Sequence, residues 1–363
     1  MKKVFILSNM YPSKNHLSFG IFVKNQVETL KENNISVLTG VNTDTSNGKF
    51  NVLKKYAKWS NEVLIKALKN SRTIEISHAH YVFPTGLLSL LLKKTFGIPY
   101  LVTAHGGDID KMAKKNKWIR KVTLVILKEA AHVIAVGEEL AETIKKDFSI
   151  PHDKITVMSM GVNRKVFKEA KQEKARNDLN IPLEPYIFLF VGNLIKEKGV
   201  SELINAFQQL DEPNSLLYII GSKKSSQFVD QLYTEVEPDF KNKIHFIDPI
   251  PQNELVTWFQ ASNVFVLPSY IEGFGLVALE ALACKIPVIA SRVGGLAHLL
   301  TNGVGHFIKP RDSESLYLEM KKAVNTPREQ YYVDEAVEKV LIENDQEILT
   351  IKLIELYKKH SKI

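Results

Sequence analysis

The sequence has a single cysteine, Cys284, among its 363 residues. One cysteine excludes an internal disulfide and fits a protein of the reducing cytoplasm, where we expect this chain to work. Cys284 falls on the apolar face of a predicted helix, and no histidine or asparagine motif accompanies it. We therefore interpret it as a small core residue rather than as a nucleophile.

Long apolar runs are also absent. No uncharged apolar stretch reaches the roughly 20 residues that a bilayer-spanning helix needs. The apolar run near the start of the chain stops at Ser8, so it predicts a first strand rather than a signal peptide. No G-x-G-x-x-G follows a predicted strand, which disfavours an NAD-dependent dehydrogenase.

What the chain does contain is a regular alternation of short apolar runs and helical patterns. Such alternation is typical of α/β proteins with parallel sheets covered on both faces. The length suits two domains, which we place at residues 1–165 and 183–344, joined by the polar segment 165–183. We expect a C-terminal helix at about 345–363 to pack back on the first domain, and a cleft to separate the two domains.

The net charge of +8 is unevenly distributed. Residues 1–165 hold 26 Lys+Arg and 13 Asp+Glu, whereas the remaining residues hold 22 and 27. The first half therefore has a balance of +13 and the rest −5, so an anionic partner should contact the first half.

One segment, Lys111–Lys121, has six basic residues and no acidic one. We expect a basic helix here, and three interpretations are open. It can be a solvated helix face, a surface that lies on anionic lipid with Trp118 at the interface, or a nucleic-acid contact. No base-reading motif accompanies it, so we predict no nucleic-acid partner and favour the inner face of the cell membrane.

Glycine-containing turns follow predicted strands at four places, two in each half. They are Leu17–Gly20, His105–Asp108, Gly192–Gly199 and Glu272–Gly275. Ligands of α/β sheets bind where such turns lead from strand to helix, because free N–H groups at the helix start attract anions. The pattern predicts a site for a phosphorylated ligand, with Glu272 and Glu280 as two nearby carboxylates.

Lysine and histidine side chains occur in the same turns. Lys196 and Lys198 precede a predicted helix start, and we expect one of them to reach a bound phosphate while the other remains a solvated charge. His105 ends a strand and is a candidate for hydrogen bonding or proton transfer, although packing at a helix start explains it equally well.

Two further patterns could be mistaken for metal sites. We expect the side chains of His78 and His80 to point to opposite faces of their strand, so that only one lines the cleft and the two do not bind a metal together. Asp108 and Asp110 fall at a predicted helix start, where acidic residues cap the helix and favour its dipole. We therefore predict no metal ion.

These motifs together resemble the retaining family 4 glycosyltransferases, whose GT-B fold has two Rossmann-like domains with parallel sheets facing a central cleft. The resemblance covers nearly the whole chain, and its most specific part is the Glu272-x7-Glu280 spacing. The other matching parts are Tyr11-Pro-Ser13, Gly20-Ile-Phe-Val23 with Gln26, His78-Ala-His80, His105-Gly106 with Asp108, Gly192-Asn-Leu194 with Glu197-Lys-Gly199, Leu267-Pro-Ser269, Pro287-Val-Ile-Ala-Ser291 and Gly294-Gly295.

The resemblance implies a role for each matching residue. Glu272 would contact hydroxyls of the donor sugar, Glu280 would bind the ribose, and Lys198 would neutralise the diphosphate. His105 would touch the sugar from the first domain, with His80 and Asp108 on the acceptor side. The remaining donor-binding residues would be Gly20, Asn193, Gly273, Phe274, Gly275 and Leu276.

Some positions depart from the family pattern. Asn193 stands where the family usually has arginine, which weakens one diphosphate contact or transfers it to another residue such as Lys196. Lys285, His298 and Gly137 replace a usual glycine, glutamate and serine. These departures leave open the identity of the donor and the detailed contacts between the two domains. They do not affect the paired glutamates.

The resemblance implies a retaining, hexosyltransferase-type enzyme that needs no metal cofactor. It would move a sugar from a nucleotide diphosphate, for which we expect UDP, to a hydroxyl of a lipid-linked or surface-polysaccharide saccharide. Two alternatives remain: a nucleotide-sugar epimerase of similar fold, and a degenerate subunit that only binds. Catalysis would require the two halves to close.

Overall fold

The computed structural model describes residues 3–13, 16–46, 48–223 and 226–362. The chain divides into two compact units. The first unit comprises Met1–Met160 and Gln346–Ile363, and the second comprises Gly161–Asp345.

The segment that we expected to be a linker, 165–183, belongs to the second unit. Phe167 lies in that unit's hydrophobic core, and the buried guanidinium of Arg176 donates to the backbone carbonyl of Ala261. The polar composition of the segment concealed these two anchors.

The strands form two parallel six-stranded sheets within the described residues, as the alternating pattern predicted. The first sheet has the order β2-β1-β3-β4-β5-β6 and the second β12-β11-β10-β7-β8-β9. The strands are β1 (Lys3–Ser8), β2 (Val37–Val41), β3 (Ile74–His80), β4 (Tyr100–Ala104), β5 (His132–Ala135), β6 (Ile155–Val157), β7 (Tyr186–Val191), β8 (Ser215–Ile220), β9 (Ile244–Ile247), β10 (Val264–Leu267), β11 (Val288–Ser291) and β12 (His306–Ile308).

Helices connect the strands in both units. They are α1 (Ile21–Glu32), α2 (Lys49–Asn70), α3 (Thr85–Phe96), α4 (Lys117–Glu129), α5 (Glu138–Phe148), α6 (Gln172–Asp178), α7 (Val200–Leu210), α8 (Ser226–Glu235), α9 (Gln252–Ala261), α10 (Leu276–Ala283), α11 (Gly294–Leu299), α12 (Ser313–Asn325), α13 (Arg328–Tyr331), α14 (Asp334–Glu343) and α15 (Gln346–His360). Short 3₁₀ helices lie at His152–Lys154, Lys196–Lys198 and Pro238–Phe240, and a π-helix lies at Asp108–Met112.

The first sheet is buried on both faces. Val4 and Ile6 of β1 pack with α1 and with Leu349, Leu353 and Tyr357 of α15. Phe5 and Leu7 of the same strand, which point the other way, pack with Trp59 of α2 and with α3. The helix α15 therefore completes the core of the first unit, although the second unit precedes it in the sequence.

Helices α2, α3 and α4 are successive neighbours in the first unit. Each helix places one side against the unit and leaves another in solvent. Several large apolar residues remain on the solvent side, including Phe50 and Leu53 of α2 and Trp118 of α4.

Candidate functional site

The second sheet has a topological switch point at the carboxyl ends of β7 and β10. β7 is the first strand of this sheet in the sequence, and the strand order departs from it in opposite directions on its two sides. Ligands of open α/β sheets bind at such a point, outside the carboxyl ends of the strands. The turns containing Lys198 and Glu272 are the two that follow these strands.

The two turns are packed tightly against each other. The backbone N–H of Tyr270 donates to the carbonyl of Glu197 over 2.8 Å. Gly199 has a φ of 68°, and a Cβ built there would lie 2.1 Å from the carbonyl oxygen of Pro268. Only glycine fits this conformation and this contact, so Gly199 fixes the position of Lys198 beside the second turn.

Lys198 and Glu272 form an ion pair across the switch point. The distance from Lys198 Nζ to Glu272 Oε2 is 2.5 Å, and the side chains are 20% and 17% exposed. Lys196, by contrast, is exposed. Of the two candidate lysines, Lys198 is the one that the fold holds in place.

The start of α10 carries backbone donors beside this ion pair. Gly275 precedes the helix with a φ of 93°. Across the part of the chain that the structure describes, the N–H groups of Phe274, Gly275 and Leu276 donate no hydrogen bond to another residue. Unsatisfied donors at a helix start, together with a lysine, favour an anion.

The double glycine Gly294-Gly295 packs against the backbone of the turn that carries Glu272. A Cβ on Gly294 would lie 1.9 Å from the carbonyl oxygen of Glu272, and one on Gly295 would lie 2.5 Å from Phe274 Cα. Backbone atoms cannot yield at such distances, so these glycines allow α11 to approach the turn. The structure thus gives Gly294 and Gly295 a role in shaping the turn that carries Glu272, Gly273 and Phe274.

Glu280 lies one turn into α10 and is almost completely buried. The side-chain amide of Gln252 donates to Glu280 Oε1. Burial raises the pKa of Glu280 to about 7, and the hydrogen bond from Gln252 opposes that rise. A buried carboxyl group whose pKa lies near neutral pH is a strong acceptor for ligand hydroxyls once it is charged. Nothing in the sequence pointed to Gln252, because it reaches Glu280 only through the tertiary fold.

Asn193 is tied to the neighbouring loop. Its Oδ1 accepts a hydrogen bond from Ser222 Oγ over 2.6 Å. Just beside it, a Cβ on Gly221 would lie 1.7 Å from the carbonyl oxygen of Gly192. Asn193, where the family usually has arginine, therefore lies where the loops after β7 and β8 are in close contact.

In the first sheet the switch point lies between β1 and β3. Gly20 ends the loop after β1 with a φ of 71°, and a Cβ there would lie 2.4 Å from the carbonyl oxygen of Met10. Gly20 therefore lies directly against the backbone of Met10 before α1 begins. The loop after β4, which carries His105, follows the strand next to β3.

His78, His80 and His105 form a cluster of imidazoles in the first unit. The rings of His78 and His80 are 4.5 Å apart, so our expectation of opposite faces is wrong. Residues two apart in a strand share a face, and only the intervening Ala79 points away. His80 Nδ1 is 3.2 Å from His105 Nε2. His80 is fully buried whereas His105 remains partly exposed, so the two side chains are not equally accessible to a ligand.

Asp108 does not cap the helix that follows it. Its carboxylate accepts hydrogen bonds from the backbone N–H groups of Val82, over 2.7 Å, and His105, over 3.0 Å. Asp108 thus joins the loops after β3 and β4, next to Tyr81, whose φ is 73°. Burial raises the pKa of Asp108 to about 6, against the effect of these N–H donors. Asp108 and His80, which we predicted on the acceptor side, are both buried. Asp108 contacts the backbone of His105 and His80 contacts its ring.

The basic segment Lys111–Lys121 is not one helix. It covers the end of the π-helix, a turn, and the start of α4, which is capped by Asn116 accepting from the N–H of Ile119. Trp118 is 62% exposed. A charge pattern alone did not reveal the Asn116 cap that divides the segment.

Two other features are absent from the described residues. No group of three or more His, Cys, Asp or Glu side chains there is placed to hold a metal ion. No helix in the same ranges has the length and apolar character to cross a membrane.

A cavity of about 530 Å³ lies elsewhere in the second unit. Tyr186, Asn263 and Pro287 line it, and these residues stand at the amino ends of β7, β10 and β11. The cavity is therefore at the sheet edge opposite the switch-point turns, and none of the predicted site residues lines it.

Two Rossmann-like units with parallel sheets define the GT-B class of proteins, as the sequence motifs predicted. A family profile described as "Glycosyl transferases group 1" matches residues 171–340, and one described as "Glycosyltransferase Family 4" matches residues 31–166. Together they cover most of the chain, and the chain belongs to the family 4 glycosyltransferases.

Relatives with curated names agree with this assignment. TuaC of Bacillus subtilis, named as a teichuronic acid biosynthesis glycosyltransferase, is 30% identical over 246 residues, or 67% of this chain and 59% of TuaC. A D-inositol 3-phosphate glycosyltransferase of Corynebacterium efficiens is 32% identical over 63% of this chain and 58% of that protein. The chain thus matches just under three fifths of the length of these relatives.

Solved structures share the fold. Sucrose-phosphate synthase from Thermosynechococcus elongatus superposes with a TM-score of 0.81 at 22% identity, covering 99% of both chains. The Anabaena protein HepE, solved in complex with UDP and glucose, has a TM-score of 0.78 at 17% identity, with 99% of this chain and 100% of HepE covered.

Proposed function

We propose that the protein is a retaining glycosyltransferase that moves a hexose from a nucleotide diphosphate to a hydroxyl acceptor. One observation carries the proposal: the Lys198–Glu272 ion pair beside the free N–H groups at the start of α10, at the switch point of the second sheet. A cation and a helix start suit a diphosphate, and a carboxylate beside them suits sugar hydroxyls.

Each residue has a distinct part in this proposal. Lys198 and the N–H groups of Phe274, Gly275 and Leu276 stabilise the departing diphosphate, which is the charge that develops in the transition state. Glu272 accepts hydrogen bonds from the sugar, and Glu280 accepts them from the ribose. When the diphosphate binds, Lys198 moves from Glu272 to the phosphates, which frees the carboxylate for the sugar.

Retention requires the acceptor to attack the face of the sugar that the diphosphate leaves. The acceptor oxygen forms a bond to the anomeric carbon as the bond from that carbon to the phosphate oxygen breaks. The acceptor proton passes to the departing phosphate. These bond changes balance without a protein nucleophile and without a metal cofactor.

The donor that we propose to test first is UDP-glucose. HepE, which shares the fold, was solved with UDP-glucose and with UDP. For the acceptor, the teichuronic acid role in the name of TuaC supports a surface-polysaccharide or lipid-linked saccharide.

The experiment is incubation of the protein with UDP-glucose, with and without a lipid-linked saccharide acceptor. A transferase releases UDP in an acceptor-dependent way, and NMR of the product shows the anomeric configuration of the donor. An isomerised donor formed without acceptor would establish an epimerase instead, and no nucleotide binding in calorimetry would support the degenerate subunit.

We further propose that the first unit works on the inner face of the cell membrane. Residues 49–129 hold 16 Lys+Arg and 5 Asp+Glu, so nearly all the excess positive charge of the first half lies there. On α2, Phe50 and Leu53 are 79% and 69% exposed, and Lys54 and Lys58 accompany them on the same exposed side. Exposed apolar side chains surrounded by lysines suit an anionic lipid surface.

Vesicle sedimentation tests this part of the proposal. We expect binding to vesicles that contain phosphatidylglycerol and little binding to pure phosphatidylcholine. Phe50→Ser with Leu53→Ser should weaken binding about tenfold, since each buries apolar surface in the lipid. Leu318→Ser is the matched control, because Leu318 is 56% exposed in the second unit. Equal losses in both variants would contradict the proposed surface, and so would unchanged binding after Lys114, Lys115 and Lys117 are reversed to Glu.

A further inference from the structure

His80 is the buried neighbour of the one partly exposed imidazole in the cluster. Its Nδ1 is 3.2 Å from His105 Nε2, and its ring lies 5.4 Å from that of His105 in a stacked arrangement. The rings of Tyr81 and Phe22 also pack on His105, at 4.6 Å and 4.9 Å. The orientation of the His105 ring is therefore set on three sides.

His78, the third imidazole, has both nitrogens occupied. Its Nδ1 is 2.6 Å from the hydroxyl of Tyr357, and its Nε2 is 2.7 Å from Thr103 Oγ1. His78 therefore has no nitrogen left for His80, and the two rings contact each other in a tilted arrangement. The hydrogen bond between His80 and His105 is separate from the one that ties α15 to β3.

Burial favours the neutral form of both His80 and His105. Burial lowers the pKa of His80 to about 3, and burial together with His80 lowers the pKa of His105 well below its ordinary value. A neutral imidazole carries hydrogen on one nitrogen only. The contact between Nδ1 of His80 and Nε2 of His105 thus contains one hydrogen, which belongs to one ring or to the other.

The other nitrogen of His80 decides between the two arrangements. His80 Nε2 is buried, and no hydrogen-bond partner for it exists among the residues that the structure describes. If His105 donated to His80, the hydrogen of His80 would lie on Nε2 as a buried donor without an acceptor. Buried donors without partners are rarer than buried acceptors without donors. The favoured arrangement has His80 donating from Nδ1.

We propose that His80 is a positioning residue that holds His105 in the tautomer with hydrogen on Nδ1. Because His105 Nε2 accepts from His80, Nδ1–H becomes the ring's one donor, and the ring has no free nitrogen that could accept a proton. His105 therefore acts as a neutral hydrogen-bond donor to a ligand oxygen and not as a general base. The part that concerns a sugar ligand rests on the proposed function, whereas the tautomer itself does not.

The tautomer can be measured directly in the full chain without any ligand. Protein labelled with ¹⁵N-histidine gives two-dimensional spectra in which protonated and bare ring nitrogens differ, and His105→Gln identifies the His105 signals by their loss. We expect a protonated Nδ1 and a bare Nε2 on His105 throughout pH 6–8. A protonated Nε2 on His105 would overturn the proposal.

Substitution of His80 tests whether it is the cause. His80→Phe keeps a ring but removes the donor, and should change the His105 tautomer ratio about fivefold, the factor that one net hydrogen bond carries. His80→Gln keeps an N–H donor and should preserve the tautomer. Thr103→Val removes a partner of His78 only, and is the matched control.

An unchanged ratio in His80→Phe would contradict the assignment of His80. If that variant does not fold, the wild-type and His80→Gln spectra still decide the question. Glycosyl transfer plays no part in these spectra, so absence of transferase activity with the expected tautomer would count against the proposed function and leave this inference standing.

Discussion

The two units place their candidate residues at the same position in a parallel sheet but use different chemistry. In the second unit the turns carry an ion pair, Lys198 with Glu272, and a buried carboxyl group, Glu280. In the first unit the corresponding loops carry neutral imidazoles, and the carboxylate of Asp108 accepts hydrogen bonds from backbone N–H groups. At these loops, the charged groups of the second unit lie beside free backbone donors, whereas the Asp108 carboxylate of the first unit is paired with backbone N–H groups.

We propose that this difference gives the two units separate tasks. A diphosphate needs positive charge and free backbone donors, which the second unit provides. Neutral donors and packed rings give direction without strong charge, so the first unit is suited to orienting uncharged hydroxyls. Four substitutions or pH measurements test this division.

The largest effect is expected for Glu272→Gln. The amide keeps the size of the side chain but loses the charge, so transfer should fall by about 10²–10³-fold, as for loss of a transition-state contact. UDP binding, measured by calorimetry, should change less than about threefold, because Lys198 is then free of its carboxylate. Glu197→Gln, in an exposed position, is the control. Near-normal turnover of Glu272→Gln would remove this residue from the site.

Lys198→Ala should have the next largest effect. It removes a charge-assisted contact to phosphate, and UDP should bind about 10- to 100-fold more weakly while uridine binds almost unchanged. Lys196→Ala serves as the comparison, since Lys196 is an exposed lysine on the same turn. If UDP and uridine lose affinity equally, Lys198 acts on the structure of the turn and not on phosphate.

A smaller effect concerns the buried carboxyl group. Because burial raises the pKa of Glu280 to about 7, the group is mostly protonated at pH 6 and mostly charged at pH 8. Ribose hydroxyls favour the charged form, so uridine should bind up to about tenfold more tightly at pH 8 than at pH 6. Glu280→Gln should abolish that rise. A rise of the same size in the variant would show that another group titrates.

The smallest effect is expected in the first unit. The pKa of His105 lies well below its ordinary value because of burial and of His80, so His105 stays neutral across the pH range of the assay. His105→Asn should lower the transfer rate but leave the shape of the pH–rate profile between pH 6 and 8 unchanged, within about twofold at each pH. A titration step near pH 6.5 that disappears in the variant would mean that His105 ionises.

The sequence indicated the position of those elements of the candidate site that local chemistry defines. Glycine turns after apolar strands led to both switch-point turns of the second unit, and the spacing of Glu272 and Glu280 led to the start of α10. The alternation of apolar runs and helical patterns likewise predicted the parallel sheets that the structure has. These features depend on neighbouring residues in the chain, which a single sequence displays.

The parts that were missed depend on contacts between distant residues. The residue pattern treats Lys196 and Lys198 alike and only the family resemblance favours Lys198, whereas in the structure the packing of Gly199 against Pro268 sets them apart. Gln252 meets Glu280 through the fold, and Asp108 meets Val82 across two loops. The face shared by His78 and His80 was available from strand geometry and was misjudged.

The position of α15 has a consequence for how the chain is made. The core of the first unit includes Leu349, Leu353 and Tyr357, and the hydroxyl of Tyr357 is bonded to His78. A ribosome must therefore synthesise the whole of residues 161–345 before the first unit can complete its hydrophobic core. The second unit, by contrast, is continuous in sequence and can fold as soon as its own residues are made. A nascent chain would thus carry a finished second unit and an unfinished first one, with the core of the first unit open to chaperones until α15 emerges.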